Sequence, residues 1–159
     1  RSGSVTGVQT CALPICDALV YINAPNGFIN VDGCKQDGIV LDSKQLWCFG
    51  NFARFIRPGM KRINVSVQDI TDPLIAASTL MISAYKDAGS KKIVIVIINP
   101  KTSERVFNLT GKGGGLMFTE NVLNAYTTDN LSNLKKSVMN LDNIKIPAQS
   151  VVTLTGTYQ

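Results

Sequence analysis

The side chains that most often carry out catalysis are scarce in this sequence. Its 159 residues include no histidine, which excludes Ser-His-Asp triads and histidine-based metal sites. Glu104 and Glu120 are the only glutamates, and both fall beside turns in a β-rich region. We interpret them as solvated strand ends rather than as catalytic carboxyls. The sequence therefore predicts no catalytic residue, no metal site and no cofactor.

Composition argues against two other classes of partner. The chain carries 16 basic and 11 acidic residues, a net charge of +5, but the basic residues are scattered in ones and twos. Nucleic-acid-binding proteins usually cluster them beside aromatic platforms, so no nucleic-acid partner is expected. No apolar run approaches the ~18 residues of a membrane span. The glycine-rich segment 111–115 lacks the phosphate-loop pattern and no predicted helix follows it, which favours a flexible hairpin.

The first sixteen residues do not resemble a protein segment. Residues 5–15 read VTGVQTCALPI, which resembles a translated short-read sequencing adapter with Cys16 at its junction. We interpret residues 1–16 as adapter-derived, in a chain from a bacterial metagenome, and expect the natural protein to continue upstream of Asp17.

Setting aside residues 1–16 leaves Cys34 and Cys48 as the informative cysteines. Two cysteines establish no disulfide framework, so a Cys34–Cys48 bond and two separate thiols both stay open.

Residues 17–58 predict one β/α unit. An unbroken apolar run at 18–22 is typical of a parallel strand buried on both faces. After a loop, Asp42 and Ser43 are good helix N-caps, and apolar residues follow at helical spacing. Pro58-Gly59 ends the helix.

Beyond residue 58 the pattern becomes that of short strands. Alternating or apolar stretches separated by turn residues, including a hairpin turn at 87–90, predict a β-sandwich over residues 59–159. The predicted strands are 61–67, 79–85, 91–99, 104–109, 121–127, 144–146 and 150–155.

Five stretches carry a family resemblance. They are SKQLWCFGNFARFIRPGMKRI (43–63), ISAYKD (82–87), KKIVIVIINP (91–100), AYTTDNLSNL (125–134) and IPAQSVVTL (146–154). In this order and spacing they resemble the last barrel helix and the side domain of family 30 glycoside hydrolases.

The resemblance implies a fold class that is mainly β: a C-terminal β-sandwich preceded by the last β/α unit of a truncated (β/α)₈ barrel. It also implies a secreted, periplasmic or cell-surface enzyme, a monomer when full length, that hydrolyses β-linked plant polysaccharide (xylan or galactan) with retention. Its two catalytic glutamates would end the fourth and seventh barrel strands, upstream of Asp17. This fragment is therefore expected to be inactive, with a polysaccharide partner reached through the missing barrel.

The same resemblance suggests substrate contacts. Tyr21, Asn23 and Asn26 would lie at or just beyond the carboxyl end of the eighth barrel strand, where such barrels place active-site groups. Asp32 and Asp37 follow in the loop, but the Asp-Gly pairs that they form are typical of turns.

Aromatic residues leave an alternative function open. Trp47, Phe49, Phe52 and Phe55 have helical spacing and are predicted to be core. Five further aromatics in the sandwich form no obvious row, yet a non-catalytic carbohydrate-binding or structural sandwich remains the alternative to a hydrolase part. Without barrel neighbours, strand 18–22 and helix 43–56 are expected to expose apolar surface and promote association.

Overall fold

The computed structural model describes residues 19–23, 39–68, 70, 72–111 and 116–159. Cys34, Asn26, Asp32 and Asp37 lie outside them. The helices and strands are β1 (Val20–Asn23), β2 (Ile39–Asp42), α1 (Lys44–Ala53), β3 (Lys61–Ile63), α2 (Pro73–Thr79), β4 (Met81–Asp87), β5 (Lys92–Asn99), β6 (Arg105–Phe107), β7 (Val122–Thr128), β8 (Lys135–Asn140), β9 (Ile144–Ile146) and β10 (Ser150–Thr157).

A six-stranded antiparallel sheet organises the larger part of the chain. Its strand order is β3-β4-β5-β10-β7-β8. The final strand, β10, lies in the interior of this order and pairs with β5 from Ser150↔Asn99 to Thr157↔Lys92. On its other edge it pairs with β7. The sheet is therefore held together by the strand that comes last in sequence.

One face of the sheet packs against the small β6–β9 ribbon. Ile93, Ile95 and Ile97 of β5 share a buried cluster with Ile144 and Ile146 of β9. Alternate residues of a strand point to the same face, so these three isoleucines line one side of the sheet. Two antiparallel layers around an apolar core make a β-sandwich, and the predicted mainly β fold is confirmed.

The opposite face of the sheet packs against the C-terminal end of α1 and against the residues just after this helix. Val94 and Val96 of β5 form a second buried cluster against Phe52, Phe55 and Ile56. Both faces of β5 are thus covered, which explains its unbroken apolar run in an antiparallel sheet. Such runs are more typical of parallel strands, because antiparallel sheets commonly leave one face to solvent.

A buried hydrogen-bond network fixes the C-terminal half of α1 to this face. Asn51 Nδ2 donates to Thr128 Oγ1 at 2.8 Å. The hydroxyl of Thr153 lies 2.8 Å from the Asn51 carbonyl oxygen and 2.9 Å from its Oδ1, and donates to these acceptors. Thr128 Oγ1 also accepts from the Leu134 backbone N–H at 3.1 Å. Asn51 and Thr153 are 0% exposed, so water cannot replace these bonds.

Two elements were not predicted from the sequence. α2 is a single short helix whose Asp72 N-cap accepts from the Leu74 N–H at 2.8 Å. Its apolar residues Leu74 and Ile75 are exposed, so no buried stripe signals the helix. β8 is an edge strand that is almost entirely exposed, and its polar sequence lacks the alternation of a half-buried strand.

The first strand has a different partner from the one that its pattern suggests. β1 pairs antiparallel with β2, from Val20↔Asp42 to Asn23↔Ile39, whereas its apolar run is typical of a parallel strand. Val40 and Leu41 point to opposite faces because they are consecutive, and they are 67% and 50% exposed. Both faces of this ribbon therefore present apolar side chains to solvent.

The chain divides into two compact units, of which the larger runs from Cys48 to Gln159. The end of α1 thus belongs to the same unit as the sheet. A barrel–sandwich boundary near Pro58-Gly59 stays a prediction. Helical hydrogen bonds continue as far as Ile56, whose N–H donates to the Phe52 carbonyl at 2.9 Å, and Gly59 follows with φ 92°.

The Asn51 network generates the first testable prediction. Asn51→Ala removes the buried side-chain amide that bonds to Thr128 and Thr153, while the bond from Thr153 to the main-chain carbonyl of residue 51 is kept, so we expect the free energy of unfolding to fall by about 1–3 kcal/mol. Urea denaturation measures this loss. The matched control is Asn124→Ala, because Asn124 is exposed on β7 and should cost less than about 0.5 kcal/mol. Equal losses for the two variants would contradict a specific role for Asn51.

The β1–β2 ribbon generates a second prediction. Because its apolar side chains are exposed, we expect the purified chain to associate, with a mass by light scattering above that of a monomer. Val40→Thr combined with Leu41→Asn should shift the chain toward the monomer. Leu131→Asn is the control, since Leu131 is 94% exposed but lies outside the ribbon. A clean monomer for the unaltered chain would disprove the prediction.

Candidate functional site

Two of the three candidate substrate-contacting residues, Tyr21 and Asn23, belong to the β1–β2 ribbon. Tyr21 is half-buried and pairs with Leu41, while Asn23 pairs with Ile39. Asn26 lies outside the described residues. The structure thus places Tyr21 and Asn23 in one strand, two positions apart, and substrate contact by these three residues stays a prediction.

Several hydrogen bonds connect this ribbon to the beginning of α1. Ser43 donates to the Leu19 carbonyl oxygen from its N–H at 3.2 Å and from its hydroxyl at 3.0 Å. The Ser43 hydroxyl oxygen accepts from the Leu46 N–H at 3.3 Å, so Ser43 is the N-cap that its sequence position predicts. Trp47 Nε1 donates to the Asp42 carboxylate. The position of β1 is therefore coupled directly to the first turn of α1.

The positions of the two glutamates do not suit the pair of catalytic carboxyl groups that a retaining glycosidase needs. Glu104 is exposed just before β6, and Glu120 is exposed in the turn before β7. Neither lines the broad depression of about 1220 Å³ beside β3 and β4, whose described walls contain Lys86 and Arg105 but no acidic residue.

Within the part of the chain that the structure describes, no group of three or more His, Cys, Asp and Glu is arranged to hold a metal ion. No helix among these residues is long and apolar enough to cross a membrane.

Most of the aromatic side chains serve packing. Phe52 and Phe55 pack against the sheet as predicted, and the Phe55 ring centroid lies 4.4 Å from that of Tyr126. Phe49 differs from the prediction, because it is 61% exposed and points away from the face of α1 that covers the sheet. Cys48 is half-buried and packs with the same cluster as Phe52.

Sequence reasoning missed a group of cations around one ring. Lys86 Nζ and Lys91 Nζ lie 5.7 and 5.5 Å from the centroid of the Tyr158 ring, within the range of cation–π contacts. Tyr158 is distant in sequence and reaches the β4–β5 hairpin only because β10 pairs with β5. The sequence holds no local signal for this arrangement. We refer to Lys86, Lys91 and Tyr158 as the lysine–tyrosine cluster.

The hairpin beside this cluster contains one carboxylate, Asp87, whose oxygens are already engaged. The Ser90 hydroxyl donates to it at 2.5 Å and the Gly89 N–H at 3.1 Å. The hydrogen bond from Ser90 is the main cause that lowers the pKa of Asp87 below its ordinary value of 3.8, and the Gly89 bond adds to the effect. Hydrogen bonds to a carboxylate favour its charged form.

No family model matches the chain, but solved structures do. It is similar to a conserved exported protein from Bacteroides fragilis, with 30% sequence identity and a TM-score of 0.70 over 86% of this chain and 26% of that protein. A GH30 endoxylanase from Clostridium papyrosolvens C71 is 28% identical, with a TM-score of 0.53 over 73% of this chain and 28% of the enzyme.

A glycoside hydrolase family 30 subfamily 8 xylanase from Clostridium acetobutylicum has the same fold at 24% identity, with a TM-score of 0.54 over 74% of this chain and 28% of that enzyme. The chain shares its fold with a segment of family 30 xylanases. It spans about a quarter of the length of these solved structures. Its similarity to them supports an origin related to glycoside hydrolases.

The Asp87 turn generates a third prediction. Ser90→Ala removes the main hydrogen bond to the carboxylate, so the pKa of Asp87 should rise toward its ordinary value. Because the folded-state pKa is depressed, Asp87 stabilises the fold above the unfolded-state pKa, and this contribution is lost as pH falls through the folded-state pKa. The stability difference between the two proteins should therefore shrink in strong acid.

Carboxyl-carbon NMR titration measures this pKa directly. Ser137→Ala, which changes an exposed serine on β8, is the control and should leave the Asp87 titration unchanged. An Asp87 pKa that is the same with and without the Ser90 hydroxyl would disprove the assignment.

Proposed function

We propose that this chain is the closing part of a retaining glycoside hydrolase related to family 30, and that the whole enzyme cleaves β-linked plant polysaccharide, either xylan or galactan. The observation that carries this proposal is the shared fold with a GH30 endoxylanase at 28% identity over 73% of the chain. In this proposal, residues 17–58 are the last β/α unit of a barrel, and residues 59–159 are its side sandwich.

The chemistry requires groups that the described residues do not bring together. Retaining hydrolysis uses two carboxyl groups about 5–5.5 Å apart: one protonates the leaving oxygen while the other attacks the anomeric carbon, and water then releases the sugar. Glu104 and Glu120 are exposed residues of the sandwich, and the depression beside β3 and β4 has no acidic wall residue among those described. We therefore assign catalysis to glutamates on earlier barrel strands of the whole protein and expect this chain to be inactive.

The ribbon is the part of the chain proposed to reach substrate. Strand ends at the carboxyl face of such barrels supply active-site groups; Asn23 is the last residue of β1, and Tyr21 lies two positions before it. A phenol ring offers a stacking surface for a sugar, and amides such as Asn23 and Asn26 offer both a donor and an acceptor to hydroxyl groups. These roles belong to the whole enzyme.

The aromatic side chains of the sandwich are covered, which favours a structural role in supporting the barrel over a role in stacking on sugar rings. Its aromatic residues Tyr85, Phe107, Phe118, Tyr126 and Tyr158 are all buried or half-buried. Phe107, Phe118 and Tyr158 belong to the core cluster or pack against it. A flat, exposed aromatic platform, which stacking on sugars would use, is therefore not formed by these five residues.

The proposed location is outside the cytoplasm, in a bacterium. The similar protein from Bacteroides fragilis is described as exported, and insoluble or very large polysaccharides are accessible only to secreted or surface enzymes.

Hydrolysis assays supply the fourth prediction. On xylan, galactan and aryl glycosides, this chain should release no sugar above a buffer blank. A longer protein, obtained by sequencing the source DNA across the junction of Cys16 and Asp17, should hydrolyse one of these polymers with retention and should have glutamates that end its fourth and seventh barrel strands.

The control in the longer protein is Glu104→Gln combined with Glu120→Gln, which should change kcat/KM by less than about twofold. The proposal would be overturned if the short chain hydrolysed one of these substrates and Glu104→Gln combined with Glu120→Gln abolished that hydrolysis. If the upstream sequence lacks the two barrel glutamates, the hydrolase proposal fails, and the alternative, a non-catalytic carbohydrate-binding or structural sandwich, takes its place.

A further inference from the structure

The lysine–tyrosine cluster concentrates positive charge on a rigid part of the fold. Since both ammonium groups lie within 6 Å of one ring centroid, they cannot be more than about 11 Å apart. The ring itself is only 7% exposed. Lys86 is half-buried and Lys91 is exposed, so the apolar stems cover the ring while the charged ends remain available to solvent.

Backbone and side-chain hydrogen bonds hold this arrangement across the hairpin. The Tyr158 N–H donates to the Lys91 carbonyl oxygen at 3.0 Å, and its hydroxyl donates to the Asp87 carbonyl oxygen at 3.3 Å. Lys91 adopts a left-handed conformation with φ 55°, which is uncommon for a residue other than glycine. The ring is thus fixed to both ends of the turn that joins β4 to β5.

Neighbouring residues add charge of the same sign. Lys61 lies directly opposite Lys86 in the β3–β4 pairing, and like charges directly opposite each other destabilise a sheet. Lys92 follows Lys91 and is exposed. The only acidic residue of the hairpin, Asp87, already accepts hydrogen bonds from Gly89 and Ser90. The fold therefore retains several cations at one place with little local compensation.

The positive surface continues from the hairpin to the neighbouring depression. Lys86 is part of its wall as well as of the cluster, and Arg105 lies in the same wall. The remaining described wall residues are mostly apolar and include no acid, and amides and hydroxyls such as Asn64, Ser66 and Asn108 lie among them. A ligand that extends from the cluster into the depression therefore meets Lys86 and Arg105 and no described acidic residue.

We propose that the lysine–tyrosine cluster and the adjoining depression bind a polysaccharide that bears carboxylate groups. This inference rests on the proposed function, because that function makes a polysaccharide the natural ligand. Uronate carboxylates can pair with the ammonium groups of the cluster, and sugar hydroxyls can bond to the amide and hydroxyl side chains of the depression. Nucleic acid fits less well, because single-stranded nucleic acids are usually bound with exposed aromatic side chains, and the sandwich aromatics are covered.

Fluorescence anisotropy of a labelled oligogalacturonate titrated with the full chain tests the proposal. Neutral xylo-oligosaccharide of the same length and a single-stranded oligonucleotide of similar charge serve as comparison ligands. We expect saturable binding of the oligogalacturonate, weakened by added salt, and weaker binding of the other two. Lys86→Gln combined with Lys91→Gln should raise the Kd for oligogalacturonate roughly fivefold.

The matched control is Lys135→Gln combined with Lys136→Gln. It removes the same two charges from exposed positions on β8 and should leave the Kd within about twofold. Equal weakening by both double variants would show attraction to net charge alone and would overturn the proposal, as would binding of the oligonucleotide at least as tight as that of the oligogalacturonate. Absence of oligogalacturonate binding would also overturn it.

The outcome of this binding test is independent of the outcome of the hydrolysis test of the proposed function. Loss of the binding site leaves the barrel glutamates and their activity in the longer protein unaffected. Conversely, an upstream sequence without those glutamates removes the enzyme but not the binding of an acidic polysaccharide by this chain.

Discussion

The fold depends on a constraint that is unusual for an antiparallel sheet: both of its faces must be covered. The β6–β9 ribbon covers one face, and the residues at the end of α1 cover the other. Asn51 makes the second covering specific. An apolar helix face can slide on an apolar sheet with little change in buried area, whereas a fully buried amide bonded to Thr128 and Thr153 has its partners in only one register. The hydrophobic effect supplies most of the stabilisation, and the network selects the position.

This constraint explains which parts of the fold can be predicted from the sequence. The apolar runs of β5 and β10, and the turn residues 87–90 between β4 and β5, identify strands because burial and turn geometry act on nearby residues. β8 gives no such signal, since an edge strand is free to be polar. Asn51 has the same limitation: nothing near it in the sequence indicates that two threonines about 80 and 100 positions later complete its hydrogen bonds.

The candidate site is even less accessible to sequence reasoning. Tyr21 and Asn23 were selected from a family resemblance, and the structure adds their strand and their register with β2. The lysine–tyrosine cluster, by contrast, exists only through long-range pairing, because Tyr158 follows β10 and both lysines flank the β4–β5 turn. The lysines are scattered along the sequence, but the fold brings Lys86 and Lys91 together around one ring.

The position of β10 has a consequence for how the chain is made in the cell. Because β10 lies between β5 and β7, the strands on its two sides are joined to each other only through it. Before residues 150–157 are synthesised, the sheet strands can form only two separate antiparallel pieces, β3-β4-β5 and β7-β8, with β5 and β7 as open edges. Synthesis proceeds at only about 5–20 residues per second, so these edges stay open while the final segment emerges. When β10 forms, it joins the two pieces into one sheet, and until then their unpaired strand edges can pair with other chains.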